Sequence, residues 1–270
     1  MDFNAFKQIV ITQCAELGIE EYELYYQSAE STSVSAFQHE INQFTGSTEG
    51  GVCFRCIVGG KMGYASTEAL NAEQAAAIVR KAADNASVLE AEEQVFLCEG
   101  GQEYEPLEDR SCAMPATEEI VSTVLATQEK LYKADPAVID GCQTQGIAER
   151  SEIAIYNSKG LDLHSESTLT GLVVVAVVTN GQEMANDYQI KLAKLSTIDT
   201  DEVTAKAAKT ALGKLGGDVA PTGQYPVVFD PEAMSDLLQT FSSIFSSEAA
   251  QKGLSKLAGK EGAPRAVKTW

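Results

Sequence analysis

The chain has 270 residues, 44% hydrophobic and 22% charged, which is enough apolar material for a large globular core. Its 39 acidic residues outweigh 20 basic ones, giving a formal net charge of −19. A surface of that sign repels phosphate backbones and argues against direct nucleic-acid binding. The longest apolar run, Leu172 to Val178, is far too short to cross a bilayer as a helix. Met1-Asp2-Phe3-Asn4 has neither the basic region nor the apolar run of a signal peptide, so a cytoplasmic setting without membrane contact is expected. In that setting Cys14, Cys53, Cys56, Cys98, Cys112 and Cys142 read as free thiols.

Asp2 to Leu17 carries Phe3, Phe6, Ile9, Val10, Cys14 and Leu17 at helical spacing, and Gly18 ends the helix. From Glu21 the period becomes two, which predicts a strand. Ser33 to Phe44 and Gly51 to Val58 are further strand candidates, and Gly59-Gly60 turns the chain into a fourth at Met62 to Ser66. Asn71 caps a helix running to about Leu89, with Gln74 placed for a capping-box contact. Glu90 to Pro115, rich in Glu and Gly, reads as a surface connection.

A second series repeats the first. Ala116 to Lys133 is a helix with Ile120, Val121, Val124, Leu125 and Leu131 inward. Strands are predicted at Val138 to Glu149, Ser151 to Asn157, Leu161 to Thr179 and Glu183 to Leu195. Ser158-Lys159-Gly160 and Asn180-Gly181 are hairpin turns. A last helix is capped at Asp199 and ends near Leu215-Gly216-Gly217. The pattern predicts an α+β fold: a duplicated helix–antiparallel sheet–helix domain over about 1–220, with pseudo-repeats at about 1–90 and 116–216. Gly217 to Gly223 is a linker. A strand at Pro226 to Phe229 and a helix from about Glu232 to Lys252, N-capped by Asp230-Pro231, would open a second domain over 221–270.

Candidate chemistry is sparse. Cys53-Phe54-Arg55-Cys56 has CxxC spacing, but residues three apart on a strand face opposite sides and cannot share an ion. His39-Glu40 resembles the start of a zincin motif, yet Gln43 stands at the second histidine's place and the segment has a strand pattern. His164 alternates with apolar residues and reads as an exposed strand residue without a defined role. The serines Ser242, Ser243, Ser246 and Ser247 lack a nucleophile elbow and read as a polar helix face. Gly50-Gly51, Gly59-Gly60 and Gly216-Gly217 are turn punctuation, not phosphate-binding loops. Arg55, Lys61 and Tyr64 surround the hairpin at Gly59-Gly60, where the choice is between partner docking and an ordinary exposed hairpin.

The stretch from Pro226 to Gly262 resembles the TldD/TldE (PmbA) family, called modulators of DNA gyrase and regarded as peptidase subunits. The TldD branch carries His-Glu-x-x-x-His directly after a Leu-Leu pair on this helix. Here the pair is Leu237-Leu238, and the six positions hold Gln239, Thr240, Phe241, Ser242, Ser243 and Ile244. Gln239 and Ile244 stand where the imidazoles would be, and Thr240 where the glutamate would be. The resemblance therefore points to the TldE (PmbA) branch, as does Ser246 to Gly253. The segment Gly59 to Ser66 also looks like the family.

The resemblance implies a non-catalytic subunit of a cytoplasmic zinc metallopeptidase complex that processes or degrades unfolded peptides. Its partners would be a TldD-like subunit, which supplies the zinc, and an extended peptide; this chain would hold no metal, cofactor or catalytic residue. It further implies that the β-rich second domain is largely missing, because the resemblance fades near Gly262 and Ala263 to Trp270 matches nothing. Leu237, Phe241 and Phe245 would then be exposed. Two other readings stay open: a stand-alone peptide-binding scaffold working as a homodimer, and a hydrolase with a non-metal nucleophile.

Overall fold

The structure is a computed structural model describing residues 1–90, 94–104 and 113–260. The chain divides into two compact units, residues 1–217 and 218–270.

In the first unit, α1 (Phe3–Leu17) is followed by strands β1 (Glu21–Phe37), β2 (Glu40–Val58) and β3 (Lys61–Thr67), then by α2 (Ala72–Val88). The same order returns as α3 (Thr117–Ala134), β4 (Gln143–Asn157), β5 (Asp162–Thr179), β6 (Met184–Leu192) and α4 (Thr200–Leu212). The strands form one six-stranded sheet in the order β3-β2-β1-β4-β5-β6, with every neighbouring pair antiparallel. Asp2, Asn71 and Asp199 cap their helices by accepting backbone N–H groups. The Asn71 side chain takes the Gln74 N–H at 2.9 Å, one half of the expected capping box.

All four helices lie on one face of the sheet, because alternate residues of β1 turn to that side. Tyr22 and Leu24 are buried beneath α1 and α2 together with Phe54, Ile78 and Ala154. Val34 and Ala36 are buried beneath α3 and α4 together with Ile120, Leu131, Ala148 and Leu172. Tyr25 and Gln27 point to the opposite face and are exposed. Gly63 lets β3 approach α2 closely: a Cβ there would sit 1.9 Å from the Ala82 carbonyl oxygen.

Several boundaries differ from the sequence reading. Ser33 to Phe44 is not one strand. The chain reverses at Gln38 and His39, whose φ values of 51° and 68° are in the left-handed region. No glycine marks this turn. The buried Gln128 side chain of α3 supports it instead, accepting the His39 N–H at 2.8 Å and donating to the Ala36 carbonyl at 2.7 Å. His39-Glu40 is thus a turn residue followed by the first residue of β2, not a strand pair. Val138 to Glu149 and Ser151 to Asn157 merge into one strand, since Arg150 and Ser151 continue the ladder to Glu30 and Ala29. Val138 itself makes only an isolated bridge to Val178.

The connection from Glu90 to Pro115 lies partly outside the described residues, with Cys112. Its described part is stitched down: Leu97 is buried, and the Gly100 N–H donates to the Lys159 carbonyl at 3.0 Å.

In the second unit, Pro226 to Phe229 has no regular secondary structure and no ladder partner among the described residues, so the expected strand does not form. The single helix predicted over Glu232 to Lys252 is broken. It is α5 (Pro231–Thr240), a 3-10 turn at Ser242–Phe245, and α6 (Ser247–Gln251). The Thr240 and Ser242 hydroxyls donate back to the Asp236 and Gln239 carbonyls at 2.8 and 2.7 Å, offering the backbone an alternative to helix. Ser246 then caps α6, its hydroxyl accepting the Ala249 N–H at 3.3 Å. The tail from Ala263 to Trp270 lies outside the described residues.

Candidate functional site

The segment that points to a chemistry comprises α5 and the 3-10 turn after it. The Asp230 carboxylate accepts the Ala233 N–H at 2.8 Å, and Pro231 occupies the first turn, where an amide proton has no partner. Leu237 and Leu238 precede Gln239 and Thr240, the last residues of α5, while Ile244 falls in the 3-10 turn. Zinc takes imidazole nitrogen, thiolate sulfur or carboxylate oxygen. A neutral amide, a hydroxyl already donating to Asp236 and a hydrocarbon side chain do not fit it. Thr240 also lacks the carboxylate that would take a proton from a metal-bound water. Ser242 and Ser246 are engaged with backbone groups, as capping residues are.

The two thiols of the CxxC pair are inert by burial. Cys53 is half-buried and Cys56 buried, with their alternate positions on β2 sending them to opposite faces. Burial pushes the Cys56 thiol up to about 11. Burial also raises Cys53, outweighing the lowering influence of Arg55. Neither offers a thiolate near neutral pH.

On the helix-free face, β1, β2 and β4 assemble a buried ion pair. Arg55 Nη2 lies 2.6 Å from Glu23 Oε1, and the Glu23 side chain is only 5% exposed. Asn157 Nδ2 donates to Glu23 Oε2 at 3.1 Å and to the Cys98 carbonyl at 2.9 Å. Together with Tyr25, Cys53 and Tyr64, Glu23 and Arg55 line a cavity of about 280 Å³. Tyr64 is exposed, its hydroxyl 2.9 Å from Met62 Sδ. Lys61 opens β3 opposite Val58 and does not join this group. Arg55 is thus engaged by the sheet's own carboxylate, and no motif or spacing marks Glu23 and Asn157 as members of its group.

The two histidines are far apart in role. His39 packs its ring 4.4 Å from that of Tyr132. His164 is exposed on β5, as expected, but it does have neighbours: its Nε2 lies 2.9 Å from Glu152 Oε1. Glu152, His164 and Glu166 each place a donor atom within 4.8 Å of the others. Arg150 Nη2 donates to Glu166 Oε2 at 2.8 Å. This group was legible in principle. A turn centred on Lys159 fixes the register that sets Glu152 opposite Glu166 and Ala154 opposite His164.

Among the described residues no helix is long and apolar enough to cross a membrane. Comparison with known proteins finds likeness at two levels. The fold is similar to that of a Thermotoga maritima protein described as a putative modulator of a DNA gyrase, with a TM-score of 0.85 and 24% identity. That match covers 96% of this chain and 59% of the other. It is similar to a protein from Bacteroides thetaiotaomicron with the same description, with a TM-score of 0.82 and 21% identity over 95% of this chain and 60% of that one. It is also similar to TldE from Thermococcus kodakarensis, with a TM-score of 0.77 and 18% identity over 95% and 58%. The chain thus spans about three fifths of the length of these structures. No curated protein matches it. Three family models match in succession: PmbA/TldA metallopeptidase domain 1 at residues 22–86, the central domain at 112–215 and the C-terminal domain at 222–268. The last match runs beyond Gly262, so most of the tail does resemble the family, contrary to the sequence reading. With models of all three domains matched in order along its length, the chain belongs to the PmbA/TldA metallopeptidase family, the TldD/TldE proteins.

Proposed function

We propose that this chain belongs to the TldE (PmbA) branch and is the non-catalytic component of a cytoplasmic two-subunit peptidase. Its partner is a TldD-type subunit that carries the catalytic zinc. The observation behind this reading is the donor set at the motif positions. Gln239, Thr240 and Ile244 provide neither zinc ligands nor a carboxylate base. The family match and the TldE-like fold support it. Chemistry would then fall to the partner, and this chain would help shape the chamber and hold an unfolded peptide.

One feature suits that holding role. β6 is an edge strand with Tyr188, Ile190 and Leu192 exposed, and an edge can add an extended peptide through backbone hydrogen bonds. The net charge of −19 disfavours nucleic acid as the ligand.

The test is a cleavage assay on an unfolded peptide with zinc present. The purified chain alone is expected to cleave nothing. Addition of a metal-bearing TldD-type partner is expected to give cleavage that a chelator abolishes. Chelator-sensitive cleavage by the lone chain would overturn the reading.

A further inference from the structure

The helix-bearing face of the sheet is not covered along its whole length. Ala154 belongs to the core under α1 and α2, and Ala148 to the core under α3 and α4. Between them on β4 lie Arg150 and Glu152, which join neither core. The register sets Arg150 opposite Glu30 on one side and Thr168 on the other, and Glu152 opposite Ser28 and Glu166. His164 is one row further on, opposite Ala154. Even-numbered residues of β1, β4 and β5 share this face, so Glu30, Arg150, Glu152, His164 and Glu166 form one polar strip between two apolar cores.

The strip is short of positive charge. Glu152 and Glu166 are directly opposed carboxylates, an arrangement that destabilises a sheet unless a cation intervenes. Arg150 answers Glu166 at 2.8 Å and feels Glu152 and Glu30 as well. Three carboxylates therefore share one guanidinium. The imidazole of His164 turns an acidic patch into a mixed donor set, one nitrogen and two oxygens. Magnesium and calcium prefer all-oxygen shells, whereas zinc and its first-row neighbours accept imidazole with carboxylate.

From this juxtaposition we infer that Glu152, His164 and Glu166 form a binding site for a divalent transition ion of the zinc type. The site lies on the β4–β5 hairpin and is separate from the motif positions at Gln239 and Ile244. His164 Nε2 supplies nitrogen, and one carboxylate oxygen comes from each glutamate. Donors around a single zinc lie about 3.3 Å apart, given bonds of about 2.0–2.2 Å. The three atoms here are within 4.8 Å, so rotation of the exposed His164 and the half-buried glutamates closes the shell, with water completing it. The His164–Glu152 hydrogen bond and the Arg150–Glu166 pair would be exchanged for metal bonds. The ion would clamp β4 to β5 where neither core reaches. This departs from the expectation that the chain holds no metal, and it is independent of the peptidase reading because no catalysis is involved.

The experiment is zinc titration of the whole chain against a chromophoric chelator, with thermal unfolding in parallel. The unsubstituted chain is expected to take up one equivalent that His164→Ala loses, with affinity falling by at least about tenfold. Zinc should raise the unfolding midpoint of the unsubstituted chain by more than that of His164→Ala. Because cysteines also bind zinc, the difference between these two proteins is the readout. Arg150→Gln frees Glu166 and removes a competing charge, so zinc should bind it more tightly. Equal affinity in His164→Ala, weaker binding in Arg150→Gln, or displacement of zinc by equimolar magnesium would each overturn the assignment. The substituted residues lie outside both cores, and circular dichroism checks that each variant is folded.

Discussion

Phe54 and Phe241 are the same residue type in opposite circumstances. Phe54 on β2 has no exposed surface and packs in the α1/α2 core, whereas Phe241 at the end of α5 is 53% exposed. The contrast extends to their surroundings. Residues 1–217 bury aromatic, aliphatic and small side chains in two clusters. α5 and α6 have no buried residue at all, despite the apolar stripe Met234, Leu237, Leu238 and Phe241. Patterning makes a helix amphipathic, but only a facing surface turns that pattern into stability. The same difference explains why predicted elements survive in one unit and shorten or vanish in the other.

Truncation of a buried ring should separate the two units most sharply. Phe54→Ala is expected to destabilise residues 1–217 by about 4 kcal/mol, through lost burial and the cavity left behind. Urea unfolding monitored by circular dichroism would measure it; a loss under about 1 kcal/mol would mean the core is not packed as described.

Alkaline pH should act next. Burial, with a smaller contribution from Cys56, pushes the Cys14 thiol up to about 12 from an ordinary 9.0. Burial pushes Cys56 up to about 11 from the same value. Groups whose folded pKa is raised add stability that is complete below pH 9.0 and is lost as pH climbs toward the folded values. One unit above pH 9.0, the two thiols together should cost up to about 3 kcal/mol. The urea midpoint should be flat from neutrality to about pH 9.0 and fall beyond it. A midpoint that rises there would contradict the burial of both thiols.

The smallest effect belongs to the exposed ring. Phe241→Ala should change the unfolding free energy of the chain by less than about 0.5 kcal/mol. A loss comparable to that of Phe54→Ala would erase the distinction between the units.

Much of the first unit was written in its periodicities. The switch from helical spacing to alternation near Gly18 marks the start of β1, and Ser158-Lys159-Gly160 marks the β4–β5 hairpin. The turn at Gln38 and His39 was not legible, because Gln128 supports it from nearly ninety positions away and no local glycine announces it. The break after Thr240 was hidden for a related reason. Hydroxyl back-bonds compete with helix only where no packing restrains the segment. Of the chemistry, the reading that Gln239, Thr240 and Ile244 do not suit zinc rests on residue type alone. The gathering of Glu152, His164 and Glu166 needed strand register, and the Glu23–Arg55–Asn157 group needed three strands placed side by side.

The central strands carry one more implication. β1 lends Tyr22 and Leu24 to one core and Val34 and Ala36 to the other, while β4 lends Ala154 to the first and Ala148 to the second. Neither half of the duplication owns its interior. A single half expressed alone would uncover what it now lends across, Val34 and Ala36 from the first and Ala154 from the second. One continuous chain keeps those side chains covered.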